Sequence, residues 1–120
     1  LGEVEGVSDA TVTAQKILSC VARVEQRFGI EHVVDVLVGA DTERVRRWRH
    51  EELSTYGLLK EIRRKELTNL IYQLLDDGVL ARSADEYPVL RLNDASREVL
   101  RGQRMVRLRA PKQEVKKTTA

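Results

Sequence analysis

Residues 63–92 read RRKELTNLIYQLLDDGVLARSADEYPVLRL, and the change of period inside this stretch decides the fold. Over its first half Leu67, Leu70, Ile71, Leu74 and Leu75 recur at helical spacing, which predicts a helix over 63–77 stopped by Gly78. Beyond Gly78 the pattern becomes extended. Val79-Leu80-Ala81-Arg82 and Pro88-Val89-Leu90-Arg91-Leu92 flank a turn at 83–87, the signature of a short β hairpin.

Upstream of that stretch the period stays helical. Ile17, Val21, Val24 and Phe28, with Cys20 beside them, predict a helix from about Thr13 to Phe28, ended by Gly29. Ile30, Val33, Val34 and Leu37 predict a second, shorter one stopped by Gly39. A third, capped by Asp41 or Thr42, is expected to run to about Leu53 with Val45 and Trp48 facing inward, and Ser54-Thr55-Tyr56-Gly57 reads as a turn. Downstream of the hairpin, Asn93 or Asp94 caps a small helix to about Leu100, Gly102 closes it, and 104–109 alternates like a strand. Residues 1–11 read as a linker with little structure, 12–109 as one domain and 110–120 as a disordered linker or tail. Helices, a turn between the last two and then a hairpin make a mainly α (α+β) winged helix, a helix-turn-helix with a short two-stranded β wing.

Composition narrows the class without fixing function. With 42% apolar and 33% charged residues the 120-residue chain reads as one soluble globular domain. No apolar run approaches the roughly 20 residues of a spanning helix, which argues against a membrane protein. The chain begins with Leu1 rather than Met, as expected of a fragment of something longer. Cys20 stands alone, so neither an internal disulfide nor a multi-cysteine zinc site is expected, and a reducing cytoplasm fits. The net charge of +2 hides a gradient: −3 over residues 1–40, zero over 41–80 and +5 over 81–120. Local cationic clusters in a mixed surface suit a phosphate backbone, though solvated helix faces look similar.

Three stretches resemble the C-terminal winged-helix (RQC) domain of the RecQ helicase family. They are Ala14-Gln15-Lys16-Ile17-Leu18-Ser19-Cys20-Val21 running on to Gln26-Arg27-Phe28-Gly29; His32-Val33-Val34-Asp35-Val36-Leu37 with Gly39; and His50 followed by Leu53-Ser54-Thr55-Tyr56-Gly57 and Lys60. With Leu100-Arg101-Gly102 the resemblance covers about 12–108. Arg49 stands where many members have Gly, and Leu59 and Arg63 replace small residues ahead of the fourth helix. The resemblance implies a parent that is an ATP-dependent 3'-5' DNA helicase active in replication, recombination and repair, in a bacterial nucleoid. Its ATP, Mg and Zn would be held by upstream domains. This chain has no GxxxxGK[ST] loop, no cysteine set and no nucleophile–base constellation, so it is expected to bind, as a monomer and without cofactors, rather than catalyse.

The partner so implied is duplex or forked DNA, held by mostly sequence-independent phosphate contacts. Arg63, Arg64 and Lys65 sit at the start of the fourth helix, where the N-terminus already favours anions. The helix face opposite Leu67, Ile71 and Leu74 carries Lys65, Asn69, Tyr72 and Asp76. His50, Ser54, Thr55 and Lys60 are further candidates, since hydroxyls and turn backbone position phosphates without reading sequence. His50 is expected on the outer face of the third helix beside Arg46 and Arg47. With His32 on a different helix, the two histidines suggest no metal site. Trp48 and Tyr56 read as packing residues rather than base stackers. On the wing, Arg82 and Tyr87 are candidates, Tyr87 for stacking on a terminal base pair. Arg97 and Arg101 share one face of the last helix and suit a carboxylate-rich peptide. The resemblance implies that, as in some bacterial relatives, the acidic tail of single-stranded-DNA-binding protein could dock on this domain, so a protein-docking module is the alternative function. A sequence-specific regulator would be supported by a dimerisation helix, and the sequence offers none.

Overall fold

A computed structural model of the chain describes residues 2–108, with side chains from residue 10 onward. Five α-helices and a two-stranded antiparallel sheet follow in the order α1 (Gly2–Arg23), α2 (Ile30–Val38), α3 (Glu43–Arg47), α4 (Arg64–Asp76), β1 (Ala81–Arg82), β2 (Leu90–Arg91) and α5 (Asp94–Leu100). The architecture is the expected winged helix. The expected tail at 110–120 lies outside the described residues.

One core holds the elements together. Ile17, Leu18, Val21 and Val24 of α1 meet Val33, Val34, Val36 and Leu37 of α2, Leu67, Ile71 and Leu74 of α4, and Leu90 of β2. The α4 stripe is the one its spacing predicted. At the closing side, the Gln15 side chain donates to Val99 O (2.8 Å) and the Val106 N–H to Thr11 Oγ1 (3.0 Å), so both ends of the domain lie against α1. Residues 104–108 form no strand. Val106 is buried between exposed neighbours, but its N–H goes to a hydroxyl rather than to a neighbouring strand.

The first helix departs from expectation at both ends. It extends upstream of Thr13 to Gly2, through the stretch read as an unstructured linker. That stretch contains no proline, and once later turns are packed each added residue gains a helical hydrogen bond. Downstream, α1 stops at Arg23 because Glu25 and Gln26 adopt left-handed φ values of 64° and 55°. The chain then runs beside β2 as a strand-like edge: Leu90 N donates to Phe28 O (2.9 Å), and Leu92 N to Gln26 Oε1 (2.9 Å). A Cβ on Gly29 would lie 3.0 Å from Pro88 O, so glycine permits that approach.

The third helix is also shorter than predicted. Thr42 caps it, accepting from Val45 N at 3.0 Å, and it ends at Arg47 rather than near Leu53. Arg49 turns left-handed (φ 59°), and a separate 3-10 turn, His50–Glu52, follows. The fifth helix is opened by a capping box between Asn93 and Ser96, and the buried Ser96 hydroxyl also bonds Val79 O.

The β wing is minimal. Ala81 pairs with Arg91 and Arg82 with Leu90, and Ser83 closes the turn through its own N–H to Val89 O and Val89 N–H to its Oγ.

Candidate nucleic-acid interface

The start of α4 is positioned by the end of α2. Ala40 N bonds Asp35 O and Gly39 N bonds Val36 O, a Schellman closure with Gly39 left-handed at φ 75°. The following turn adds bonds to the same helix end. Gly57 N donates to Val36 O (2.8 Å), Leu59 N to Leu37 O (2.9 Å), and the Tyr56 hydroxyl lies 2.9 and 3.0 Å from Gly39 O and Ala40 O. Tyr56 is therefore a turn-packing residue, as read from sequence. A Cβ on Gly39 would come 3.2 Å from the Gly57 Cα, so the two glycines allow this clasp to close.

From the clasp the chain delivers Lys60 and Arg63 to solvent and opens α4 without a side-chain cap at Arg63. The helix start has no side-chain cap and carries three cations, which is an anion-attracting arrangement. The three cations are not equivalent. Arg64 Nη1 lies 2.7 Å from Asp35 Oδ1, whose carboxylate is largely covered, so this arginine ties α4 to α2. Arg63, Lys65 and Lys60 are exposed and make no ion pair among the described residues.

Further along the exposed face lie Asn69, which accepts from Gln73 Nε2 at 2.8 Å, and Tyr72, 46% exposed. The Arg82 guanidinium sits 5.8 Å from the centre of the Tyr72 ring, so wing and helix meet there. Tyr87, at the wing tip, is 80% exposed. Ser54 is exposed at the turn. On α5 Arg97 is exposed but paired with Asp94 at 3.2 Å; just beyond the helix Arg101 is exposed and Arg104 is held by Glu98 at 2.9 Å.

Two candidates are turned inward. Thr55 is only 2% exposed, packed in the core beside the Cys20 thiol, because the clasp rolls this side of the turn under α2. Burial pushes that thiol up to about 12, with the Thr55 hydroxyl opposing weakly, so Cys20 is inert as a nucleophile. His50 is 7% exposed rather than on an outer helical face, since the break at Arg49 rotates it into a cluster with His32 and Phe28. His32 Nε2 and His50 Nδ1 are 2.8 Å apart, and Phe28 stacks on His32 at 4.3 Å. His32 Nδ1 is buried without a partner. We assign the shared proton to His32 Nε2, because the opposite arrangement would leave an orphan N–H at Nδ1, costlier than an unused acceptor.

Burial lowers the His32 pKa to about 4, helped by neighbouring His50 and Arg44 and opposed by Asp35. Burial lowers that of His50 as well, against Glu25 and Glu51. Both rings are neutral at pH 7. The break at Arg49 also turns Trp48 outward to 48% exposure, although its spacing placed it inside. Among the described residues no cluster of three or more His, Cys, Asp or Glu could hold a metal, and no helix is long and apolar enough to cross a membrane.

Comparison with known proteins agrees with this architecture. The family model described as RQC domain matches residues 5–117. The ATP-dependent DNA helicase RecQ of Bacillus subtilis is 36% identical over 95 residues, 79% of this chain and 16% of that protein. The ATP-dependent DNA helicase RecQ of Pasteurella multocida is 31% identical over 105 residues, 87% of this chain and 17% of that protein. A plant relative, ATP-dependent DNA helicase Q-like 4B of Arabidopsis thaliana, is 27% identical over 73 residues, 61% of this chain and 6% of that protein. The chain thus spans less than a fifth of the length of these relatives.

Proposed function

This chain belongs to the RQC domain family, and from that premise we propose that it is the duplex-holding winged helix of a RecQ-type helicase. In this reading it grips DNA near a fork or end through phosphates, largely without regard to sequence, while a motor elsewhere in the parent draws on one strand. The work it supports is unwinding for replication, recombination and repair.

The observation that carries the reading is the opening of α4. Lys60, Arg63 and Lys65 are exposed and make no ion pair among the described residues, beside a helix start without a side-chain cap, on an element whose opposite face is buried in the core. Ser54, Asn69 and Tyr72 flank that surface, and Arg82 extends it onto the wing. Thr55 and His50 are left out of the contact set because they are buried, and Arg64 acts mainly through Asp35.

The test is binding of forked, blunt, single-stranded and quadruplex DNA at fixed salt, repeated over a salt series. Each neutralised phosphate contributes about −0.9 to the slope of log K against log salt. Replacing Arg63 and Lys65 together by Ala should weaken binding to unrelated duplexes alike and flatten the slope by roughly 1–2 units. An unchanged slope would place the DNA on another face.

A further inference from the structure

We propose that Trp48 is the platform of a second nucleic-acid site, which stacks an unpaired base on the indole while Arg44 and Arg47 hold the adjoining phosphate. The proposal rests on the nucleic-acid-binding reading above but uses a different surface.

The first ground is that the indole is both exposed and fixed. Nearly half of Trp48 is open to solvent, yet the edge of the Phe28 ring packs against it at 5.5 Å and 81°, and the His50 ring lies nearly parallel at 6.4 Å and 24°. Its backbone N–H donates to Arg44 O at 3.1 Å, ending α3. An aromatic face held this way loses little side-chain freedom when a base stacks on it, and stacking tolerates any base.

The second ground is the company it keeps. Glu43, Arg44, Arg47 and Trp48 line one shallow depression of about 290 Å³, at the small end of ligand-sized clefts, which suits a single ring. Arg44 lies one helical turn before Trp48 and makes no ion pair among the described residues. Arg47 reaches Glu43 only at 3.7 Å in an exposed pair, a weak contact that a phosphate can displace. Arg46 is occupied by Asp41 at 3.3 Å. A carboxylate-rich peptide fits less well, because Asp41, Glu43, Glu51 and Glu52 punctuate the same stretch. One phosphate attached to a neutral ring brings a single negative charge to two guanidiniums and an indole, and so meets less of that repulsion than a run of carboxylates does.

The third ground is placement. Phe28 belongs to the strand-like edge on one side of β2, while β1, whose Arg82 meets Tyr72 of α4, lies on the other. Two strand spacings, about 10 Å, separate these edges. Trp48, packed on Phe28, thus belongs to a different face from the α4 cations, on the far side of β2 from the Arg82–Tyr72 contact.

Because Trp48 is the one tryptophan in the chain, its fluorescence reports the site directly. Titrating the full chain with an oligothymidylate should quench the emission to saturation, and a blunt duplex should quench it much less. Trp48→Ala should weaken the oligothymidylate by roughly five- to hundredfold, followed by anisotropy of a labelled strand. Trp48→Phe should recover part of that loss, Arg44→Ala should weaken the strand further, and duplex binding should hold in all three. The Arg63→Ala/Lys65→Ala variant should weaken duplex binding yet keep the quenching. If the chain quenches with oligothymidylate but binds no duplex, this site stands and the proposed function falls. Absent quenching, equal quenching by duplex or by a polyglutamate peptide, a concentration-dependent emission shift without DNA, or loss of quenching in the Arg63→Ala/Lys65→Ala variant would overturn the proposal.

Discussion

Single residues carry the sharpest departures from what the sequence suggested, and each has a local cause. Arg49 stands where the family pattern favours Gly, and it occupies the left-handed conformation that Gly adopts without strain. Arg49→Gly should therefore stabilise the fold by about 0.5–1 kcal/mol, read as a higher urea midpoint at unchanged m value. A lower midpoint would mean that the arginine side chain makes a contact worth more than the strain. The His32–His50 pair makes a second prediction. Above pH about 6.5 the imidazoles are neutral in both folded and unfolded chains and add no pH dependence. As pH falls toward about 4 the unfolded chain takes up protons that the buried rings refuse, so stability drops, by on the order of 2–3 kcal/mol from His32. The His32→Leu/His50→Leu variant, which removes both polar partners at once, should flatten that decline in denaturant melts from pH 7.5 to 4.5. Neither burial was legible beforehand. An imidazole or a threonine hydroxyl looks the same in sequence whether it faces water or core, and the deciding event at His50 and Trp48 was a single positive φ between them.

Elements were easier to read than their ends. The α4 stripe, the Gly39 stop and the Asn93 cap follow from spacing and capping chemistry, and all three stand where the residues put them. The end of α1 did not follow, because Phe28 has helical spacing yet is claimed by β2 as an edge partner, a demand that comes from residues sixty positions away. The opening of α4 was half legible: three cations in a row were visible, but the diversion of Arg64 to Asp35 depends on how α2 and α4 pack. Arg64→Ala should accordingly lower stability by about 1 kcal/mol and change the salt slope of duplex binding less than Arg63→Ala does. The reverse ranking would make Arg64 the phosphate contact. The turn between α2 and α4 has its own signature. Tyr56→Phe removes the donor shared by Gly39 O and Ala40 O and should cost about 1–2 kcal/mol, measured by chemical denaturation.

At the scale of the whole molecule a net charge of +2 gives little long-range attraction for DNA, so the proposed function leans on local cationic clusters such as the one at α4. If Lys60, Arg63 and Lys65 each neutralise one phosphate, the salt slope is about −2.7, and doubling the salt should weaken a duplex about sixfold. Anisotropy at two salt concentrations checks this, and a slope near zero would contradict it. The clasp between α2 and the turn ahead of α4 has a mechanical meaning as well. Tension on a nucleic acid held at Arg63 and Lys65 would not be borne by a slack loop. It would pass through the Arg64–Asp35 bridge and the Gly57–Val36 and Leu59–Leu37 bonds into α2, which is bolted to α1 through the core. These links would share the load in parallel instead of opening one after another, so the start of α4 behaves as a stiff anchor point. The exposed wing tip beyond the Ser83–Val89 bonds, where Tyr87 is 80% exposed, is the compliant part that yields first.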